Sequence, residues 1–84
     1  MSAVVITGAA GDLGRALSAS FLADGHTVLG ADIAPIEPRE RLIPVELDVT
    51  DRAATFALAE RAADAADGLS IWINGAGIVR VAKV

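Results

Sequence analysis

Three glycines at intervals of three, Gly8, Gly11 and Gly14, follow directly on the run Val4-Val5-Ile6-Thr7. Glycine brings no reactive group; it brings access. At a strand–turn–helix junction the first glycine permits the tight turn and the second lets backbone approach a ligand. The third lets the new helix sit tightly on the strand. A helix starting there offers unpaired N–H groups and a partial positive charge, a site for a pyrophosphate. The chemistry implied is binding, and the ligand implied is a dinucleotide. Glycine turns also follow strands that bind nothing, so the triplet needs support from the rest of the chain.

That support lies in three polar positions. Asp32 stands 18 positions after Gly14, near the roughly 20 expected for an acid that holds an adenosine ribose. A carboxylate there accepts hydrogen bonds from both ribose hydroxyls and repels a 2′-phosphate. Ile33 and Ala34 supply no compensating cation, which favours NAD over NADP. The plain alternative is a solvated acid at a strand end. Asp48-Val49 suits the adenine: the carboxylate accepts from the amino group and Val49 covers the ring. Asp48 is read equally well as an acid that complements the dipole of the helix after it. Asn74-Gly75-Ala76-Gly77 places small groups where backbone can pass a ribose or nicotinamide. It also fits a simple strand-ending turn, with the Asn74 amide tying strand ends together. The candidate contacts at the glycine turn itself are Gly8, Gly11, Asp12, Leu13 and Gly14.

The elements that must position these residues follow from pattern. Val4, Val5 and Ile6 are β-branched and continuous, which suits a strand, Ala3–Thr7, covered on both faces. A helix is predicted over Asp12–Ala23, with Leu13, Leu17 and Phe21 as its buried stripe. Gly25 suits its left-handed C-terminal position, and His26 reads as a solvated turn residue. Thr27–Asp32 is a second buried strand. Residues 33–42 contain Pro35 and Pro38, which break a helix, so this segment is predicted to be a loop. A third strand covers 43–47. Thr50 is a good N-cap for a helix over 51–66 whose bulkiest apolar groups are Phe56 and Leu58, closed by Asp67-Gly68. Leu69–Asn74 is a fourth strand, Gly75-Ala76-Gly77 breaks it, and 78–84 is a short apolar tail.

This order predicts an α/β fold with a parallel, doubly wound sheet, partial and Rossmann-type. Right-handed crossovers give the strand order 3-2-1-4, with one helix on each face in three α/β/α layers. Ligands of such sheets bind at the carboxyl ends of the strands, beside the reversal between strands one and four. Gly8, Asp32, Asp48 and Asn74 all fall there.

The chain has 84 residues, of which 54% are hydrophobic and 21% charged, a net charge of −4 and a mean hydropathy of +0.53. Residues 1–84 form one domain. A domain this small buries only about 60–65% of its unfolded surface, so its stability is expected to be marginal. So apolar a chain is expected to leave surface that needs a partner. With no cysteine there is no disulfide framework and no thiolate metal site. His26 is the one histidine, which excludes a His-rich metal centre. The acidic balance argues against nucleic acid as a partner. No apolar run approaches the roughly 18 residues of a membrane span. The cytoplasm is the default compartment.

Together these residues resemble the short-chain dehydrogenase/reductase family. Thr7-Gly8-Ala9-Ala10-Gly11-Asp12-Leu13-Gly14 is similar to its cofactor fingerprint and Asp32 to its NAD-selecting acid. Asp48-Val49 resembles its adenine-contacting pair, and Asn74-Gly75-Ala76-Gly77 its Asn-Asn-Ala-Gly motif. The match runs in family order over essentially the whole chain. It implies an oxidoreductase that moves a hydride between NAD and an alcohol or carbonyl. Gly75 replaces the second Asn of the motif, so one amide contact is lost. The TGxxGxxG spacing resembles the extended subfamily, whereas residues 74–77 are closer to the common one. Asp12 lies beside the pyrophosphate position, where it costs affinity if it faces the ligand and steadies the helix start if it faces solvent.

Family members run to roughly 250 residues, the size of one large α/β domain. The resemblance implies catalysis by a Ser, a Tyr and a Lys, the last two in a Tyr-x-x-x-Lys motif. This chain has no tyrosine, and its one lysine is Lys83. No catalytic residue is assigned, because no remaining group is a suitable acid or base, and the isolated chain is expected to be inactive.

Three roles fit the sequence. The chain is the N-terminal, NAD-binding part of an oxidoreductase; a stand-alone, non-catalytic nucleotide-binding module; or an assembly protein. In the last role the outer edge of the fourth strand, with Ile71, Trp72 and Ile73, is unpaired and joins another chain. The expected partners are NAD and either a second copy or the missing C-terminal half of the same protein, with no nucleic acid and no membrane.

Overall fold

Ala3, Val4 and Val5 are fully buried and Ile6 is 1% exposed. A strand covered on both faces belongs in the middle of a sheet, and the computed structural model puts it there. Residues 3–65, 69–74 and 77–80 are described. In chain order they form β1 (Ala3–Thr7), α1 (Asp12–Ala23), β2 (Thr27–Asp32), β3 (Leu42–Glu46), α2 (Arg52–Ala65), β4 (Leu69–Asn74) and β5 (Gly77–Arg80). The sheet order is β3-β2-β1-β4-β5. The first four strands are parallel, as expected from the sequence.

Side chains alternate across the sheet, so two cores form. Val5, Leu29 and Ala31 pack with Leu58 and Ala62 of α2 on one face. Val4, Ile6 and Val28 pack with Leu22 of α1 on the other. The helices thus cover opposite faces, and the carboxyl ends of the strands stay open between them. Pro44 sits within β3, opposite Gly30. Proline cannot donate to a ladder, and β3 tolerates it as an edge strand.

Several expectations are corrected. The buried face of α1 is Gly14, Ser18 and Leu22, not the stripe through Leu13, Leu17 and Phe21. Leu13 is 66% exposed, and Leu17 and Phe21 flank the core. Both rows repeat every four residues; the face centred on Gly14 wins because it alone can approach the backbone of the turn. Ser18 satisfies its buried hydroxyl by donating to the Gly14 carbonyl at 2.8 Å. Phe56 is 72% exposed, while Leu58 is buried.

The cap of α2 is Asp51, whose carboxylate accepts the Ala54 N–H at 3.1 Å. Thr50 instead donates its hydroxyl to Asp48 at 2.7 Å. β3 begins one residue earlier than expected, and Leu47 lies just past its end.

His26 is not a solvated turn residue. Gly25, at φ 89°, ends α1. The Gly25 N–H then donates to the Leu22 carbonyl and the His26 N–H to that of Phe21. This Schellman closure brings the residue after the glycine back onto the last turn. The His26 ring meets Phe21 edge-on, with centroids 5.7 Å apart. Its Nδ1 is buried without a hydrogen-bond partner among the described residues.

The outer edge of β4 is not bare. β5 pairs with it in antiparallel fashion, Ile71 with Arg80, Trp72 with Val79, Ile73 with Ile78 and Asn74 with Gly77. The Asn74–Gly77 pair brackets a two-residue connection, so closing this hairpin costs little loop entropy. The premise of an assembly role through an open fourth-strand edge falls with it. The expected closure of α2 at Asp67-Gly68, the pair Gly75-Ala76 and tail residues 81–84 lie outside the described residues.

Candidate functional site

The glycine turn is built as its spacing suggests. Gly8 turns the chain off β1 at φ 69°, and the Gly11 N–H closes the turn on the Gly8 carbonyl at 3.1 Å. Gly14 holds α1 close: a Cβ there would lie 2.5 Å from the Gly8 carbonyl oxygen and 2.7 Å from Ala9 Cα. Gly11 is the N-cap and offers no side chain to the helix start. The first N–H to bond within the helix is that of Arg15, to the Gly11 carbonyl. Among the described residues nothing accepts the N–H groups of Asp12, Leu13 and Gly14, which leaves them for an external acceptor. A Cβ on Gly11 would meet only the Gly8 oxygen, at 3.5 Å, so the space beyond it is open to a ligand. These features fit a pyrophosphate.

Asp32 closes β2 and turns its carboxylate toward this junction. One oxygen accepts the Ala34 N–H at 2.9 Å and the other the Ala10 N–H at 3.0 Å. The Ala34 amide, and next the Ala10 amide, hold the carboxyl below its ordinary pKa, against a smaller opposing effect of burial. The group is thus ionised at neutral pH. A carboxylate has about four acceptor sites, so two amides leave room for a diol.

A cavity of about 480 Å³ lies over the strand ends, lined by Thr7, Gly8, Asp32, Ile33, Leu47, Val49 and Asn74. Ile33 is 67% and Val49 60% exposed, forming apolar walls. A second hollow of about 240 Å³ shares Thr7, Gly8 and Asn74 and continues along Gly11, Asp12, Leu13 and Gly14. Asp48 does not line either one. It is exposed, and one oxygen accepts both the amide and the hydroxyl of Thr50. That hydroxyl, then the amide, lowers its pKa.

Asn74 joins these hollows. Its Oδ1 accepts the Trp72 indole N–H at 2.8 Å and lies 3.2 Å from the Thr7 hydroxyl, which also reaches the Ile73 carbonyl at 3.4 Å. Indole only donates, so this contact fixes which way the amide faces. Gly77 lies at the start of β5, opposite Asn74; Gly75 and Ala76 are outside the described residues. Thr7, Ala10 and Trp72 belong to the site's framework and were not among the candidates. Thr7 and Ala10 lie within the fingerprint run, whereas Trp72 carried no local signal.

The sequence profile described as short chain dehydrogenase matches residues 2–84. The chain is 29% identical to L-2,3-butanediol dehydrogenase of Corynebacterium glutamicum, over 92% of this chain and 34% of that protein. It is 31% identical to meso-2,3-butanediol dehydrogenase of Serratia marcescens, over 89% of this chain and 33% of that one. The chain thus spans about a third of the length of these curated relatives. Among solved structures, a variant of uronate dehydrogenase from Agrobacterium tumefaciens complexed with NAD superposes with a TM-score of 0.60 at 33% identity. That match covers 70% of this chain and 23% of the other. With the glycine turn, the strand order and the profile in agreement, this chain belongs to the short-chain dehydrogenase family.

Proposed function

We propose that this chain is the NAD-binding part of an oxidoreductase that moves a hydride between NAD and an alcohol or carbonyl. The observation that carries this is the single cavity shared by the tips of all four parallel strands. The free N–H groups of Asp12, Leu13 and Gly14 would hold the pyrophosphate, and Asp32 the adenosine ribose. Ile33 and Val49 would flank the adenine, with the second oxygen of Asp48 as acceptor for its amino group. Asn74 keeps its Nδ2 protons for the nicotinamide side. Bound NAD would supply the hydride acceptor; no residue of this chain is assigned as acid, base or nucleophile.

NAD is preferred to NADP because an ionised Asp32 repels a 2′-phosphate. Arg15 and Arg39 line a neighbouring hollow on the Ala10 side, of which Asp32 is not a part. We place the protein in the cytoplasm, since a cysteine-free sequence needs no oxidising compartment. Among the described residues no helix is long and apolar enough to cross a membrane.

Trp72, the one tryptophan of the chain, reports on the site through its bond to Asn74. Titration with NAD, followed by calorimetry and tryptophan emission, should show saturable binding, with NADP at least about tenfold weaker. Asp32→Ala should weaken NAD by about tenfold or more, the worth of one or two charge-assisted hydrogen bonds. The absence of both a heat signal and a thermal shift at millimolar NAD would remove the proposal.

A further inference from the structure

We propose that Asp32 has a second task, independent of any ribose: it positions the anion-binding turn. This rests on reading the turn as the cofactor site. Two consecutive amides of the turn are fixed to two consecutive residues at the end of β2. The Ala9 N–H donates to the Ala31 carbonyl at 3.2 Å, and the Ala10 N–H to the Asp32 carboxylate at 3.0 Å. The first of these is backbone and survives substitution; the second depends on the Asp32 side chain. Ala9 is anchored in the core beside Leu22 and Val28, but Gly8 and Gly11 have no side chains to pack. Among the described residues the other bond within the turn is Gly11 N–H to Gly8 carbonyl, so the Ala10 end of the turn depends on Asp32.

The other Asp32 oxygen is held by the Ala34 N–H at 2.9 Å. With both oxygens bonded, the carboxylate is held toward Ala10. It acts on the anion through the turn, so it is a positioning residue for any diphosphate ligand. It also removes the Ala10 N–H from the donors that compete for the anion, leaving those of the helix start. Loss of the carboxylate therefore releases the Ala10 end of the turn and weakens even a ligand that has no ribose hydroxyls.

The test compares ADP with 2′,3′-dideoxy-ADP, which keeps the diphosphate and lacks both hydroxyls. Calorimetry on the whole chain, Asp32→Ala and Asp32→Asn would be paired with thermal unfolding of each. We expect Asp32→Ala to weaken dideoxy-ADP by about fivefold, the worth of one hydrogen bond. ADP should weaken further, and Asp32→Asn, which keeps one acceptor oxygen, should recover part of the dideoxy-ADP loss. Equal losses for the two ligands would support positioning and remove the ribose assignment. A loss for ADP alone would overturn positioning and leave the cofactor site intact. No loss for either would overturn both. If the variants do not fold, the unaltered chain still decides. The amide resonances of Ala10 and Ala34 should titrate in step with the Asp32 carboxyl, and an Ala10 amide that ignores that titration overturns the proposal.

Discussion

Gly14→Ala sets two effects of opposite sign against each other. Alanine is favoured over glycine inside a helix by about 1 kcal/mol. Here its Cβ would lie 2.5 Å from the Gly8 oxygen, 2.7 Å from Ala9 Cα and 3.0 Å from the Ala9 carbonyl carbon. Non-bonded carbons settle at about 3.5–4.0 Å, so the N-terminus of α1 must retreat by roughly 1 Å. All three neighbours are backbone, and no rotamer change relieves them. Overpacking costs about 1–3 kcal/mol, and this site belongs at the upper end. The net is a destabilisation of about 2 kcal/mol, which for a domain of this size lowers Tm by about 8–16 °C. Thermal unfolding followed by circular dichroism measures it. Gly11→Ala is the control: its Cβ meets only the Gly8 oxygen, at 3.5 Å. It should cost less than about 1 kcal/mol yet weaken nucleotide binding, because the methyl group points into the open space before the helix start. A Gly14→Ala chain melting at or above the parent temperature would refute the packing argument. So would a Gly11→Ala loss as large as that of Gly14→Ala.

Other perturbations separate further parts of the structure. Arg41 sits at φ 65° and donates from its guanidinium to the Leu22 carbonyl at the end of α1, at 3.0 Å. Arg41→Ala should cost about 1 kcal/mol, whereas Arg41→Gly should recover about 1 kcal/mol by relieving the left-handed backbone; equal melting temperatures for the two would refute this. Asp32 and Asp48 both have folded pKa values below their unfolded ones. Their contribution is present above the unfolded value of about 3.9 and fades as pH falls through the lower folded values. Urea midpoints should therefore fall between pH 5 and pH 3, and Asp32→Asn should flatten that dependence; an unchanged slope would contradict it. Leu58→Ala should cost about 2–4 kcal/mol, while Phe56→Ser should stay within about 0.5 kcal/mol. Equal losses in denaturant titrations would show that Phe56 is buried in solution.

Much of the site was legible because its signals are short-ranged. The β-branched run before Gly8 marks a strand buried on both faces, Gly25 ends α1 where it must, and Asp32 closes β2. Strand order follows from the handedness of crossovers, which is local stereochemistry. Asp48 was less legible: an acid that leads a helix and one that reaches a base have the same spacing. Its bonds to Thr50 involve neighbours that compete for the same cap, and Asp51 took it.

From sequence alone, then, came the four parallel strands and two helices, the order of those strands in the sheet and the polar residues gathered at the strand tips. Docking decided the rest. Leu13 and Gly14 stand on rows of equal period, and only the approach of α1 to the Gly8–Ala9 backbone selects the glycine face as the buried one. β5 covers β4 because the two segments pair edge to edge, and Asp32 bonds Ala10 because the glycine turn folds back over β2. Periodicity and capping act over a few residues. Burial phase, edge pairing and the aim of a carboxylate depend on backbone that is adjacent only once the layers have packed.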